Sequence, residues 1–222
     1  RGAQNDFYNT DSVVKLIDEI RLLIPDDVTT ADSLMRTVME LAIGSQVDSV
    51  NAKACMTAGD INFYQARYFV AINYYNKCLS NPYTTNNCEF ANDVYKLRGQ
   101  AYYFTEQKEK AIEAFEKNRL FTEIAGDSVN IYRSYINLGA MYSKVLNLPK
   151  SADYLYKAVR FFEQLKDSVN MVTCYQNLAI LAFQNRNIGE AMDYFDKSIS
   201  ILRKLNHQSE LLTTLFNKVY TL

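Results

Sequence analysis

A spacing of forty residues governs this chain. A small residue recurs at Gly59, Gly99, Gly139 and Ala179. Four residues before each stand Cys55, Tyr95, Tyr135 and Tyr175, and twelve after each come Ala71, Ala111, Ser151 and Ala191. Sixteen after lie Tyr75, Phe115, Leu155 and Phe195; nineteen after lie Cys78, Asn118, Ala158 and Ser198. Five columns in register over four units mark a repeat architecture, in which each unit buries its apolar face against its neighbours. Within each half-unit the spacings of three and four place the columns on one helix face. The small columns let two antiparallel helices approach closely, and the large column fills the groove beside them.

The punctuation agrees. Tyr64–Arg67, Thr105–Lys108, Asn147–Pro149 and Asn185–Asn187 break each unit into two helices, and Pro149 suits the first turn of the helix it opens. Between units, Asp127-Ser-Val-Asn130 and Asp167-Ser-Val-Asn170 repeat forty apart, with Asp48-Ser-Val-Asn51 close to that spacing. Asp and Ser are expected there as N-caps, and Gly126 as the end of the preceding helix. With 7 Gly and 3 Pro among 222 residues, few β-turns are available, which favours helices on short connections. The expected organisation is a disordered stretch at 1–10 and a single solenoid over 11–222. That solenoid comprises a divergent helical pair at 11–45, repeats at about 48–86, 87–126, 127–166 and 167–206, and one further helix at 208–222. In the divergent pair Ala31, Met35 and Val38 continue the second-helix columns, while Glu19 falls at the small-residue position. Leu215 and Val219 keep the register in the last helix, and an array closing on one unpaired helix is expected to belong to a longer protein.

These columns, with the added aromatics Tyr102 and Tyr142, resemble the tetratricopeptide repeat over about residues 52–205, in a form with forty-residue units. Cys55, Asn62 and Ala182 depart from it where aromatics are usual. The resemblance implies an all-α fold, a right-handed α-α superhelix of antiparallel helix pairs. It also implies a concave groove, lined by the first helix of each unit, that binds a protein or peptide. Offsets of −6, −3, −2, +1, +4 and +5 from the small column project into that groove. The ligand-binding residues expected there are Lys96, Gln100, Tyr103, Arg133, Asn137 and Asn177. Asn137 and Asn177 share a column, and side-chain amides can pair with both N–H and C=O of an extended chain. The rings Phe63, Phe104 and Phe183 either edge the groove or pack on a neighbouring turn. The clamp by which some co-chaperone members grip an acidic tail is matched at Lys96 and Asn137. It is broken at Gln100, Thr173 and Asn177, which disfavours that ligand.

Asp11-Ser12-Val13-Val14 and Asp32-Ser33-Leu34-Met35, ahead of forty-residue repeats, look like Bacteroidetes regulators. Those carry exported repeats before a membrane helix and a histidine-kinase or DNA-binding output. The likeness implies the sensory or regulatory part of a larger signalling protein, in the bacterial periplasm rather than the cytoplasm, the cytoplasm being the place of the alternative. The alternative is a stand-alone scaffold or chaperone-like adaptor that clasps a partner segment in the groove.

Nothing points to catalysis. The one histidine, His207, sits at a loop position where a cap or surface role is usual, and no Ser-His-Asp or Cys-His set assembles around it. No glycine loop cradles phosphate, and neither cofactor nor metal is expected. A net charge of −1 gives no footprint for nucleic acid, and no stretch approaches the roughly 18 apolar residues of a membrane span. Cys78 and Cys88 flank one connection and are open to two readings, a disulfide or small reduced residues. Lys77, Lys117, Lys157 and Lys197 form a column with Glu113, Asp153 and Asp193 four residues before the last three. That is an outer face of i, i+4 ion pairs.

Overall fold

The computed structural model describes residues 10–221. The disordered stretch expected at 1–10 lies outside them, except Thr10, which opens the first helix. Every element among the described residues is helical. The first two, α1 (Thr10–Leu23) and α2 (Val28–Ser45), form a pair. Next come α3 (Asp48–Tyr64) and α4 (Tyr68–Leu79), then the short α5 (Pro82–Asn86). They are followed by α6 (Cys88–Phe104) with α7 (Lys108–Ala125) and by α8 (Ser128–Lys144) with α9 (Leu148–Leu165). The last are α10 (Ser168–Gln184) with α11 (Ile188–Leu205), and α12 (Gln208–Tyr220). The chain forms two compact units, one up to Phe121 and one from Thr122. Each is a stretch of all-α, helical-repeat solenoid.

The repeating columns are the core of each unit. A Cβ on Gly99 would lie 2.7 Å from the Phe115 ring, and one on Gly139 would lie 2.6 Å from Leu155 Cγ. Both distances are too short, so the close approach of paired helices requires glycine there. Ala179 and Phe195 repeat the arrangement with an alanine, at 0% and 1% exposure. Polar members of the small columns donate to the facing helix, except Ser198, whose buried Oγ has no hydrogen-bond partner among the described residues. Ser151 Oγ donates to Gly139 O at 2.8 Å, Cys78 Sγ to Ala52 O at 3.3 Å and Asn118 Nδ2 to Asn92 O at 3.2 Å. Buried polar groups require such partners.

The turns repeat as faithfully as the core. Ala66, Glu106, Leu146 and Arg186 are all left-handed, with φ between 56° and 60°. The next residue in each case donates its N–H back to the first helix. Arg67 reaches Asn62 O at 2.8 Å, Gln107 Tyr102 O at 3.0 Å, Asn147 Tyr142 O at 2.8 Å and Asn187 Ala182 O at 2.9 Å. These six-to-one closures satisfy carbonyls that a helix end leaves open. Between units, Gln46, Gly126, Lys166 and Asn206 take the left-handed position. Asn87, Asp127 and Asp167 cap the helices that follow, accepting from Phe90 N at 2.9 Å, Asn130 N at 3.1 Å and Asn170 N at 3.1 Å.

Four sequence expectations are corrected or refined. Asp48 is not a cap: it is the first residue of α3, and Val47 precedes it without a side-chain cap bond. The second helix of the 48–86 repeat stops early, α4 having 12 residues against 18 in α7, α9 and α11. Pro82 cannot continue a helix; instead Asn81 caps a new turn, accepting from Tyr83 N at 2.9 Å, and α5 fills the place of the missing end. Glu19 is exposed, because the α1–α2 connection (24–27) is one residue longer than 65–67. Val13, Ile17 and Ile20 therefore bury where Ala54, Ala58 and Ile61 do, forty-one residues on. Lastly, the outer lysines are exposed, but the expected ion pairs form unevenly. Lys157 meets Asp153 at 2.8 Å, whereas Lys197 lies over the rings of Tyr175 and Tyr194. All four cysteines are free thiols; Cys78 is buried against Thr84 while Cys88 is exposed.

Candidate binding faces

Within the unit ending at Phe121, three successive first helices line a cavity of about 310 Å³. Arg21, Ile24 and Pro25 come from α1 and its end, Asp60, Phe63 and Tyr64 from α3, and Leu97 and Gln100 from α6. Asp60 is 9% exposed. Its Oδ1 accepts from the Tyr75 hydroxyl at 2.9 Å. Its Oδ2 lies 3.7 Å from the Arg21 guanidinium, beyond hydrogen-bond length. Burial pushes the Asp60 carboxyl up to about 6, against the opposing pull of Arg21, the Tyr75 hydroxyl and Lys96. Of the expected ligand-binding residues, Gln100 stands in the cavity wall. Lys96 is tied to its own helix, donating to Asp93 Oδ1 at 3.0 Å. Tyr103 is half-buried and meets Phe104 edge-on at 5.3 Å.

In the unit from Thr122, the remaining expected residues stand on α8 and α10. Arg133 is exposed, and the Asn137 amide is half-buried with no hydrogen-bond partner among the described residues. The Asn130 backbone N–H holds the Asp127 carboxyl below its usual range, and Arg133 adds to that. Partial burial opposes ionisation of Asp167, yet the bonds from Asn170 and the charge of Arg133 outweigh it. Asn177 differs from Asn137 in that its Nδ2 donates to Thr173 O of its own helix at 2.9 Å. Neighbouring first helices are stitched together by side chains: Ser143 donates to Gln184 at 2.6 Å, and Gln176 donates to Thr214 at 2.7 Å.

These bonds sort the projected columns. At the −3 and +4 positions, Gln176 and Ser143 serve contacts between successive first helices, and Met56 and Ile136 are buried. The −2 and +1 positions stay open: Leu97, Asn137 and Asn177, then Gln100, Ala140 and Ile180. The exception is α3, packed on most sides, where Thr57 is 0% exposed and its Oγ1 has no hydrogen-bond partner. Among the rings, Phe104 takes the neighbouring-turn alternative, and Phe63 does both, lining the cavity as well. Tyr68, which opens α4 just after the turn, stacks on Phe104 at 4.8 Å, and Phe63 meets both edge-on at 5.3 and 5.6 Å. Phe183 remains 40% exposed.

The Asp60, Tyr75 and Arg21 constellation was not assembled from sequence. The signal lay in two coincident exceptions. Asp60 is the one acid in a column otherwise holding Gln100, Ala140 and Ile180, and Tyr75 is the one hydroxyl in its column of large residues. His207 lies 3.5 Å from Glu210 and makes no cap bond. Burial pushes the Cys78 and Cys174 thiols up to about 12, so both stay protonated and unreactive at neutral pH. Among the described residues no group of three His, Cys, Asp or Glu side chains is placed to hold a metal ion. No described helix is long and apolar enough to cross a membrane.

A tandem of antiparallel helix pairs with open first-helix faces defines the class: a helical-repeat scaffold. Models of the tetratricopeptide repeat match residues 93–117 and 130–204. Over those two stretches the chain carries tetratricopeptide repeats. No curated protein sequence matches it. Among solved structures it is similar to RapI in its apo form, at 17% identity and a TM-score of 0.81, over 91% of this chain and 74% of that one. It is also similar to a Rap protein complexed with competence and sporulation factor, at 12% identity and 0.71, over 96% and 71%. A third likeness is to a Signal Transduction ATPase with Numerous Domains protein with a tetratricopeptide repeat sensor, from Pyrococcus horikoshii. There the identity is 16% and the TM-score 0.74, over 90% of this chain and 31% of that one.

Proposed function

We propose that this chain is a non-catalytic scaffold whose first-helix faces bind a protein or peptide segment, as the sensory or regulatory part of a larger bacterial signalling protein. One observation carries the binding face. Gln176 in the −3 column and Ser143 in the +4 column are used in helix-to-helix bonds, whereas the Asn137 amide in the −2 column has no hydrogen-bond partner among the described residues. An amide held half-open on rigid helices is pre-organised to pair with another backbone. The complexed Rap structure and the repeat sensor support the ligand-binding and signalling parts of this reading, as do the Asp-Ser segments at 11–14 and 32–35.

Calorimetric titration of a purified partner tests the proposal. Asn137→Ala with Asn177→Ala weakens binding by roughly 1–3 kcal/mol, the usual loss when a bound polar group is left unpaired. Most of that loss comes from Asn137, because Asn177 already spends its donor on Thr173. Lys157→Ala with Lys197→Ala, on the outer face, leaves affinity unchanged. If the lysine variant weakens binding and the asparagine variant does not, the outer face is the binding face.

A further inference from the structure

The cavity between α1, α3 and α6 holds a polar pair that the fold leaves unfinished. Asp60 Oδ2 has no hydrogen bond, its nearest partner being the Arg21 guanidinium at 3.7 Å. Arg21 in turn has no other partner among the described residues, and its side chain is 41% exposed. An acceptor and a donor therefore stand side by side at the wall of a space of about 310 Å³. A lone cation entering would sit beside Arg21, and a lone anion beside Asp60; each would be repelled by the neighbour it did not need. A neutral group offering one donor and one acceptor satisfies both. The backbone amide of an extended chain is such a group, its N–H directed to Asp60 and its C=O to Arg21. The rest of the lining is Ile24, Pro25, Phe63, Tyr64 and Leu97 with one amide, Gln100, and its apolar part suits one aliphatic side chain.

We propose that this cavity is a subsite for a single residue of an extended polypeptide, its aliphatic side chain between the rings and its backbone amide on Asp60 and Arg21. The inference rests on the peptide-binding reading above and specifies one position of the ligand. It also brings a pH response, since Asp60 titrates near 6. The charged and titratable groups facing Asp60 are Arg21 from α1, Tyr75 from α4, and Lys96 and Asp93 from α6.

Titration with N-acetyl-leucine N-methylamide, followed by backbone amide NMR, tests the subsite without the natural partner. The expected result is saturable shifts at Asp60, Tyr64 and Gln100. Affinity falls at least tenfold in Asp60→Asn and in Arg21→Leu, and several-fold between pH 7.5 and pH 5. Arg21→Leu removes an exposed side chain with no other partner among the described residues, so its result holds even where Asp60→Asn perturbs folding. Isopentylamine and isovalerate, with the same side chain on a cation or an anion, bind more weakly than the amide. Tighter binding of either ion, shifts that leave the cavity untouched, or full affinity in Arg21→Leu overturns the proposal. If the leucine amide stays out while Asn137→Ala still weakens partner binding, the subsite fails and the wider reading stands.

Discussion

Asp60 shows how one residue couples the cavity to folding. Its carboxyl is raised from 3.8 to about 6, so the folded state binds its proton more tightly than the unfolded chain does. The resulting stabilisation is fully present below about pH 4 and is lost as pH rises through 6. Two units correspond to roughly 3 kcal/mol. Urea unfolding of the wild type and Asp60→Asn across pH 4–7 is therefore predicted to give a difference in stability that moves against the wild type as pH rises. A difference independent of pH contradicts this. The cysteines supply a second residue-scale expectation. Maleimide followed by intact mass labels exposed Cys88 in the folded protein, and labels buried Cys78 and Cys174 only after unfolding; early modification of Cys174 contradicts its 0% exposure. The sequence made part of this legible. Helical projection placed Asp60 on the groove face and Tyr75 in the large core column. Projection carries no information on which core ring offers a hydroxyl to which carboxylate, so the pair itself stayed hidden. Asn177 is similar: its column was legible, but its bond to Thr173 depends on a rotamer.

The turns and paired helices are where periodicity spoke most clearly. All four three-residue turns close alike, and one of them sets Leu146, 69% exposed, at φ 56°. Left-handed backbone costs a non-glycine residue roughly 1–2 kcal/mol, and asparagine tolerates it better. Leu146→Asn is predicted to stabilise the protein by up to about 1 kcal/mol in chemical denaturation; destabilisation would mean that the leucine has a packing role. Gly139→Leu acts oppositely. A Cβ already meets Leu155 at 2.6 Å, so the variant loses roughly 1–3 kcal/mol to overpacking, and an unchanged melting temperature contradicts the helix contact. Where the elements departed from expectation, local chemistry interrupted the period. Pro82 ended α4 and gave α5, and one extra residue before α2 shifted α1. Both are single events in a repeating pattern, so the other units carried no record of them.

At the scale of the chain, the repeat columns determine where a ligand is able to bind, because they consume one face of every helix. Among the positions that the first helices leave open are the −2 and +1 columns, and these are proposed to meet the partner. Photo-crosslinking tests that assignment most directly. A benzophenone amino acid is placed in turn at Gln100 and Ala140 on the first helices, and at Lys77 and Lys157 on the outer face, and crosslinks to a purified partner are mapped by mass spectrometry. Crosslinks are expected from Gln100 and Ala140 and not from the lysine positions; crosslinks from Lys77 or Lys157 alone would contradict the inner face as the binding face.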